Sequence, residues 1–569
     1  MRVGLVTDGG CPYVSGDTAR WCDRLVRGLG QHDFDVYALG PDRRRDGGER
    51  PTPLPPQVRR VRTEPPRTTG THEVAYGRRA RRRFTECYGE LVAAMTAGAS
   101  VATPVTAPDS ASGELADRFR NALYGLAELA RDEGAPAGAL CSDTALRALE
   151  RACRAPGAPR TAREARVPEL LAVAAHLEHA LRPLSLDWYG DDGLGAADLC
   201  HATTGGRTAL AGLLVRHFSG VPLLVTEYGV QLRSRYLGAG PGTATPAVRA
   251  LLAAFHGRLA AEVYRAATLL TPGNAHARRW QERCGADRAR IRTVHPGMAA
   301  DRFTQAGESP DRADPHTLVW VGRVEPGKDL VSLLHAFAEV RKERPEARLR
   351  IVGAPLGVEG AAYLGHCRAL AAQLFPDEAD GVHAVGDNPV SFEEIGGPEA
   401  PTPADAYAAG AVVVLSSVVE GFPVGLVEAM LCGRATVSTD VGAVVEVIGG
   451  TGLVVPPRNP RALAEACAGL LRDPERRARL GAAARARALE LFTVEQNIAA
   501  FHGIYLEIVS HSPVRRVVLD GTGAPLPFAT PAESRVPGHW TAPTPRALPG
   551  WATATPVRAT APATAEVPR

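Results

Sequence analysis

The sequence predicts an α/β protein made of two doubly wound parallel-sheet domains in tandem. Three observations carry that expectation. A buried strand, a glycine-rich loop, a helix and a second strand open the chain, and the same arrangement returns near residue 317. Short apolar runs alternate with helical segments in both halves, as parallel sheets with right-handed crossovers require. The length of 569 residues suits two domains of about 250 each once a Pro/Thr/Ala-rich end is set aside.

Val3-Gly4-Leu5-Val6 is the first strand, Gly9-Gly10-Cys11-Pro12 breaks it, and Ser15-Gly16-Asp17 opens a helix with Trp21, Leu25 and Leu29 on its apolar side. Asp35–Leu39 is the next strand. From about Gly40 to Leu186 the chain begins Pro- and Arg-rich and then reads as amphipathic helices, so a helical insertion of about residues 63–186 is expected, with a flexible loop near 105. Alternation resumes with strands at Asp198–Ala202, Val221–Thr226, Ala267–Thr271 and Ile291–Val294, and a helix over Gly205–His217. The second domain offers strands at Thr317–Val321, Leu349–Gly353, Val382–Val385, Ala411–Leu415, Ala435–Val437 and Leu453–Val455. The expected boundaries are 1–297 and 298–493. Residues 494–512 form a helix crossing back to the first domain, with Ile498, Phe501, Ile504, Tyr505 and Ile508 as anchors. Residues 513–569 hold eleven prolines and three acidic groups, too little apolar area to offset ordering, and read as a disordered tail.

Composition narrows the function classes. Hydrophobic content of 45% and charged content of 22% exclude a fibrous or wholly disordered chain. A net charge of +3 is too mild for a dedicated nucleic-acid binder. No apolar run reaches the ~18 residues that span a bilayer, and the first eight residues turn polar too soon for a signal peptide. Ten cysteines without a C-x-x-C pair signal neither a zinc site nor a disulfide frame, and the histidines show no metal-ligand spacing. A cytoplasmic protein without a metal is expected.

Two loops carry candidate chemistry. After the strand ending at Leu415 comes Ser416-Ser417-Val418-Val419-Glu420-Gly421-Phe422-Pro423, with Pro423 suited to the first helical position. Glu420 falls at the strand's carboxyl end, where α/β sheets bind ligands. Glu428 falls about 7.5 Å further along the helix axis, a spacing that allows one carboxylate to touch a sugar ring while the other reaches a ribose. Gly421 lets the backbone approach, and the helix-end amides face an anion. After the strand ending at Val321 comes Gly322-Arg323-Val324-Glu325-Pro326-Gly327-Lys328-Asp329. Arg323 offers a planar fork and Lys328 a compact charge for phosphate oxygens. Of the 65 basic residues only Lys328 and Lys342 are lysine, which sets Lys328 apart from ordinary surface charge.

Arg323-x4-Lys328, Ile351-Val352-Gly353, the Glu420-x7-Glu428 segment and Thr439-Asp440-Val441-Gly442 followed by Glu446 resemble the retaining glycosyltransferases of the GT-B fold, family four. In the first domain, Asp8–Val14, His32–Val36, Asp198–His201, Thr226-Glu227-Tyr228-Gly229 and Thr271–Asn274 are similar to the Pel-polysaccharide (PelF-like) glycosyltransferases. The resemblance implies a UDP-sugar donor, with UDP-glucose foremost, no metal or other cofactor, an acceptor of unknown identity, and a role in exopolysaccharide or glycoconjugate synthesis. It implies catalytic roles for Arg323, Lys328 and Glu420. Donor contacts are expected from Gly16, Asp17, Gly353, Gly421, Phe422, Pro423 and Glu428, and a sugar- and acceptor-side set from His201, Glu227 and Tyr228, with a satisfied structural histidine the alternative for His201. Three departures stand out: Gly16-Asp17 replaces Gly-Gly beside the donor diphosphate, Tyr228 replaces a histidine near the donor sugar, and Gly410-Ala411 replaces Ala-Asp before a strand, a lesser, structural change. Tyr228, following its strand's carboxyl end, is therefore expected to reach the cleft and alter donor preference.

Two further readings stay open. One is a nucleotide-sugar-binding protein with weakened transfer that acts in an assembly, with the tail as partner-binding arm. The other is an epimerase or similar enzyme on the same fold. The basic stretch Arg78–Arg83 offers a peripheral contact with an anionic membrane, against the plainer reading of a solvated helix face.

Overall fold

Each half of the chain builds its own six-stranded sheet, and the two sheets have the same internal strand order. The computed structural model describes residues 1–8, 17–40, 53–65, 76–97, 110–134, 136–236, 245–308, 313–376 and 388–514. The first sheet contains β1 (Arg2–Asp8), β2 (Asp33–Leu39), β3 (Val58–Thr63), β4 (Leu199–Ala202), β5 (Leu223–Glu227) and β6 (Leu269–Pro272) in the order β3-β2-β1-β4-β5-β6. The second contains β7 (Asp314–Val321), β8 (Arg348–Val352), β9 (Val390–Glu393), β10 (Gly410–Leu415), β11 (Ala435–Thr439) and β12 (Leu453–Val455) in the order β12-β11-β10-β7-β8-β9. Every strand pair is parallel. Strands such as β10 and β11 are apolar or small throughout because helices cover both faces, which leaves no solvent side to alternate with. The order reverses between β1 and β4 and again between β7 and β10, so each sheet opens a crevice there at its carboxyl end.

The insertion is largely helical: Arg78–Thr96, Ser110–Glu133, Asp143–Arg154 and Val167–Leu181 pack on one another. Their core, with Phe84, Tyr88, Leu123, Leu126, Leu149 and Leu177, is continuous with Ala202, Leu213 and Val225 of the first domain. A buried charge cluster ties it down further. Glu64, just past β3, lies 2.5 Å from both Arg182 and Arg207, and Arg207 also contacts Nε2 of His179 at 3.0 Å. In the basic helix, Arg82 pairs with Glu86, and Arg83 with Glu128 and Asp132, so part of that charge is spent within the protein. Among the described residues no helix is long and apolar enough to cross a membrane.

Several elements differ from the sequence reading. β3 forms in a stretch read only as Pro- and Arg-rich, because it is an edge strand whose arginines face outward or pair: Arg59 with Asp33, Arg62 with Asp192. Ile291–Val294 is not a strand. Ile291 bridges Leu270, and Arg292 and Val294 donate to the Leu270 and Pro272 carbonyls at 2.9 and 3.0 Å, so the segment runs beside β6 without forming a regular strand. β9 was absent from that reading. The expected strand at 382–385, the loop near 105 and the tail from residue 515 lie outside the described residues.

The two domains are joined twice, and the two connections run side by side. Met298 donates its N–H to the Phe492 carbonyl at 2.7 Å, and Val494 returns one to the Met298 carbonyl at 3.1 Å. A methyl group on Gly297 would sit 2.8 Å from Val494 Cα, so only glycine fits between the crossings. The helix Val494–His511 then lies on the first domain. Phe501, Ile504, Tyr505 and Ile508 are buried with Val3, Leu5, Trp21, Leu25 and Leu199. Gly28 lets this helix approach, since a methyl there would lie 2.1 Å from Ile498 Cδ1.

Phe501→Ala empties a fully buried ring position between β1, β4 and this helix. It is expected to cost about 3–5 kcal/mol in denaturant unfolding monitored on the first domain.

Candidate active site

The loops after β7 and β10 are bolted together across the second sheet's switch point. Val418 N–H donates to the Gly327 carbonyl at 2.9 Å, and Ser416 Oγ donates to the Lys328 carbonyl at 2.7 Å. Lys328 ends a 3₁₀ turn, Pro326–Lys328. The chain enters the following helix (Leu330–Glu343) through Asp329, held in the left-handed region at φ 50°, whose carboxylate caps Ser332 N–H at 3.3 Å. This sharp turn brings the Lys328 Nζ onto Oε1 of Glu420, which also accepts from Ser417 Oγ at 2.8 Å. The lysine and glutamate side chains are 15% and 10% exposed, enough for a ligand to reach and too little for water to screen them fully. Arg323, on the same loop as Lys328, is exposed.

The Glu420 backbone is shaped from beneath. Gly442, at φ 58°, packs so closely that a methyl would stand 2.5 Å from the Glu420 carbonyl, and Ala443 N–H donates to the Gly421 carbonyl at 3.1 Å. Thr439 Oγ1 donates to the Ser417 carbonyl at 2.5 Å. Gly353 serves the neighbouring loop: a methyl there would collide with the Gly322 carbonyl at 1.7 Å. Pro423 stands just before the helix Val424–Leu431, as its cap and not at its first position. Glu428 lies one turn in, and its Oε2 accepts from Tyr407 OH at 3.0 Å. Burial, then the adjoining Glu428 charge, push that phenol far above its ordinary range, so it stays a proton donor. Gly421 is exposed and Phe422 half-buried beside the first domain, its ring centroid 6.2 Å from His295 and 5.8 Å from Phe492.

The structure thus sets Lys328 against Glu420, and places Arg323, Gly353, Gly421, Phe422, Pro423 and Glu428 on the loops and helix that follow the same sheet's strands. It does not bring the first-domain set there. His201 is fully buried in β4, with Nδ1 2.7 Å from Tyr505 OH and Nε2 2.7 Å from Thr226 Oγ1. Burial lowers its pKa to about 3. It is a neutral core histidine with both nitrogens spent. Glu227 is also buried, accepting from Tyr264 OH at 2.7 Å and Gln281 Nε2 at 3.0 Å, and burial raises its pKa. Tyr228 turns its hydroxyl to the returning helix, where Asn497 Nδ2 donates to it at 2.9 Å. Its ring meets Trp21 edge-on at 5.2 Å, so it braces the domain connection and does not face a sugar. Gly16 and the Asp17 side chain lie outside the described residues. Ser416, Ser417, Tyr407 and Gly442 support the site without having been assigned roles from sequence. The signal for Gly442 was present, a glycine three residues past a buried strand's carboxyl end.

Residues 1–289 match the family described as "Domain of unknown function (DUF3492)", and residues 315–473 match that described as "Glycosyl transferases group 1". A D-inositol 3-phosphate glycosyltransferase of Catenulispora acidiphila is 34% identical over 209 residues, 35% of this chain and 46% of its own length. One from Nocardioides sp. is 29% identical over 309 residues, 52% of this chain and 64% of its own. The chain therefore spans less than two thirds of either relative. Among solved structures, Anabaena HepE in complex with UDP superposes with a TM-score of 0.51 at 14% identity, covering 89% of this chain and 99% of that one. Sucrose-phosphate synthase from Thermosynechococcus elongatus gives 0.52 at 16% identity, covering 90% and 100%. The fold is GT-B.

Two outcomes follow from the buried first-domain groups. The folded pKa of His201 lies below its ordinary 6.5, so between about 3 and 6.5 the unfolded chain binds the extra proton and stability falls as pH is lowered. His32, lowered by burial to about 4, acts in the same direction. Denaturant unfolding from pH 7 to 4 should show this decline, and His201→Asn should remove about 1.4 kcal/mol per pH unit from its slope. Tyr228→His should cost about 1–2 kcal/mol in the same assay at pH 7, from the lost Asn497 hydrogen bond and Trp21 contact.

Proposed function

We propose that this chain, which belongs to the DUF3492 family and carries a group 1 glycosyl transferase domain behind the DUF3492 region, moves a sugar from a nucleoside diphosphate sugar to an acceptor hydroxyl. The observation that carries this reading is the Lys328–Glu420 pair, fixed across the second switch point with Arg323 on the lysine's own loop. A crevice of this kind receives nucleotides in doubly wound sheets. A fixed lysine beside a carboxylate, with an arginine on the same loop, fits a diphosphate joined to a sugar.

In the proposed reaction the bond between the anomeric carbon and the β-phosphate oxygen breaks, and negative charge collects on the departing phosphate. Arg323 and Lys328 receive that charge, Lys328 exchanging its contact with Glu420 for phosphate oxygen. Glu420, relieved of its partner, faces the positive charge that develops on the sugar ring. The acceptor oxygen attacks from the side the phosphate leaves, its proton passes to the phosphate, and the anomeric configuration is retained. Cationic side chains fill the part that a divalent metal plays elsewhere, so the transfer proposed here is metal-independent. Glu428, oriented by Tyr407, is proposed to hold the ribose. UDP is the proposed nucleotide and UDP-glucose the first donor to try. The UDP bound to HepE on the same fold supports that choice.

Lys328→Ala is expected to slow UDP release by 10²–10³, about 2.7–4 kcal/mol, in an assay screening UDP-sugars against acceptor classes by mass spectrometry. An unchanged rate overturns the assignment. Tight UDP-sugar binding without release by the wild-type protein would instead identify a binding protein.

A further inference from the structure

The helix Ala275–Arg283 starts directly after β6, with Asn274 Oδ1 capping Ala277 N–H at 2.8 Å. The N–H of Ala275, two residues earlier, is taken up by the other domain: Oε2 of Glu446 accepts it at 2.6 Å. The second oxygen of that carboxylate lies 3.8 Å from Nε2 of His295, whose Nδ1 is 3.0 Å from the Gly273 carbonyl. Both oxygens of one second-domain carboxylate are thus directed at the first domain and its connection, and the positive end of a helix favours a negative charge at that place.

Glu446 is also joined to the chemistry. Its short helix, Val444–Ile448, is gripped from behind by Arg487, which donates to the Glu446 and Val447 carbonyls at 2.8 and 2.9 Å. Just ahead of that helix, Gly442 and Ala443 support the Glu420 and Gly421 carbonyls. His295 packs against Phe422 and Phe492, with centroids 6.2 and 5.0 Å away. Displacing the carboxylate therefore disturbs the domain contact and the underside of the Glu420 loop together.

We propose that Glu446 is a positioning residue for the transfer reaction, a clasp that holds the first domain against the loop bearing Glu420. This rests on the transferase reading above. In that reading Arg323, Lys328 and Glu428, which take the phosphates and the ribose, all lie on the second domain, so the clasp acts on the assembled cleft and not on nucleotide affinity.

The test compares full-length wild type, Glu446→Ala and Glu446→Gln. Small-angle X-ray scattering should give a larger radius of gyration for the alanine variant. Turnover with a working donor and acceptor should fall in kcat/KM by about tenfold, while UDP affinity measured by calorimetry stays at the wild-type value. The glutamine variant keeps a carbonyl oxygen for Ala275 N–H and should recover part of both losses; it also decides the matter should the alanine variant fail to fold. Wild-type scattering and turnover in both variants overturn the clasp. So does a loss of UDP affinity that accounts for the whole fall in kcat/KM, which places Glu446 in the donor pocket. If the wild-type protein transfers no sugar, the functional reading fails by itself, and the scattering comparison still decides whether Glu446 holds the domains together.

Discussion

Two hydrogen bonds between neighbouring loops, Val418 N–H to the Gly327 carbonyl and Ser416 Oγ to the Lys328 carbonyl, fix what the second domain can do. A parallel sheet with reversing strand order splays its loops apart at the switch point, which makes room for a ligand and also leaves the lining loops without a partner. Here they partner each other. The bonds use backbone carbonyls and a buried serine, so they hold position without consuming the charged groups. A lysine and a glutamate that would otherwise sweep through many rotamers are held close to one geometry before anything binds. Such preorganisation spares the entropy of ordering them when a ligand arrives.

The first domain shows the same topology put to another use. His201, Glu227 and Tyr228 stand at or near the carboxyl ends of β4 and β5, yet their polar atoms are satisfied inward by Thr226, Tyr505, Tyr264, Gln281 and Asn497. Asn497 gathers three elements at once: it donates to Tyr228 and to the His295 carbonyl at 2.7 Å, and accepts from Trp21 Nε1 at 3.2 Å. His201, Tyr228 and Asn497 therefore knit the returning helix to the sheet, while Glu227 ties in the helices bearing Tyr264 and Gln281.

This contrast explains what was legible in the sequence. The two sheets could be read because strands buried on both faces are uniformly apolar and their loops rich in glycine. The second-domain site could be read because its chemistry is local: Arg323 and Lys328 share one loop, and Glu420 and Glu428 one loop and helix. β3 was missed because an edge strand spends its alternation on arginines whose partners, Asp33 and Asp192, are remote in sequence. The orientation of Tyr228 was illegible for the same reason, since Asn497 lies 269 residues away. His201 resembled a cleft residue only because a strand's carboxyl end is where functional histidines lie; nothing in its neighbours announced the phenol of Tyr505.

The path of the chain also sets an order of assembly. Synthesis delivers the sheet of the first domain, then the whole second domain, and only afterwards residues 494–509, whose side chains cover Trp21, Leu25 and the flank of β1 and β4. Until that segment leaves the ribosome, the first domain carries a greasy, unroofed flank while its successor can already be complete. The domain begun first is thus finished last, and the nascent chain depends on the helix Val494–His511 to hide a surface made several hundred codons earlier.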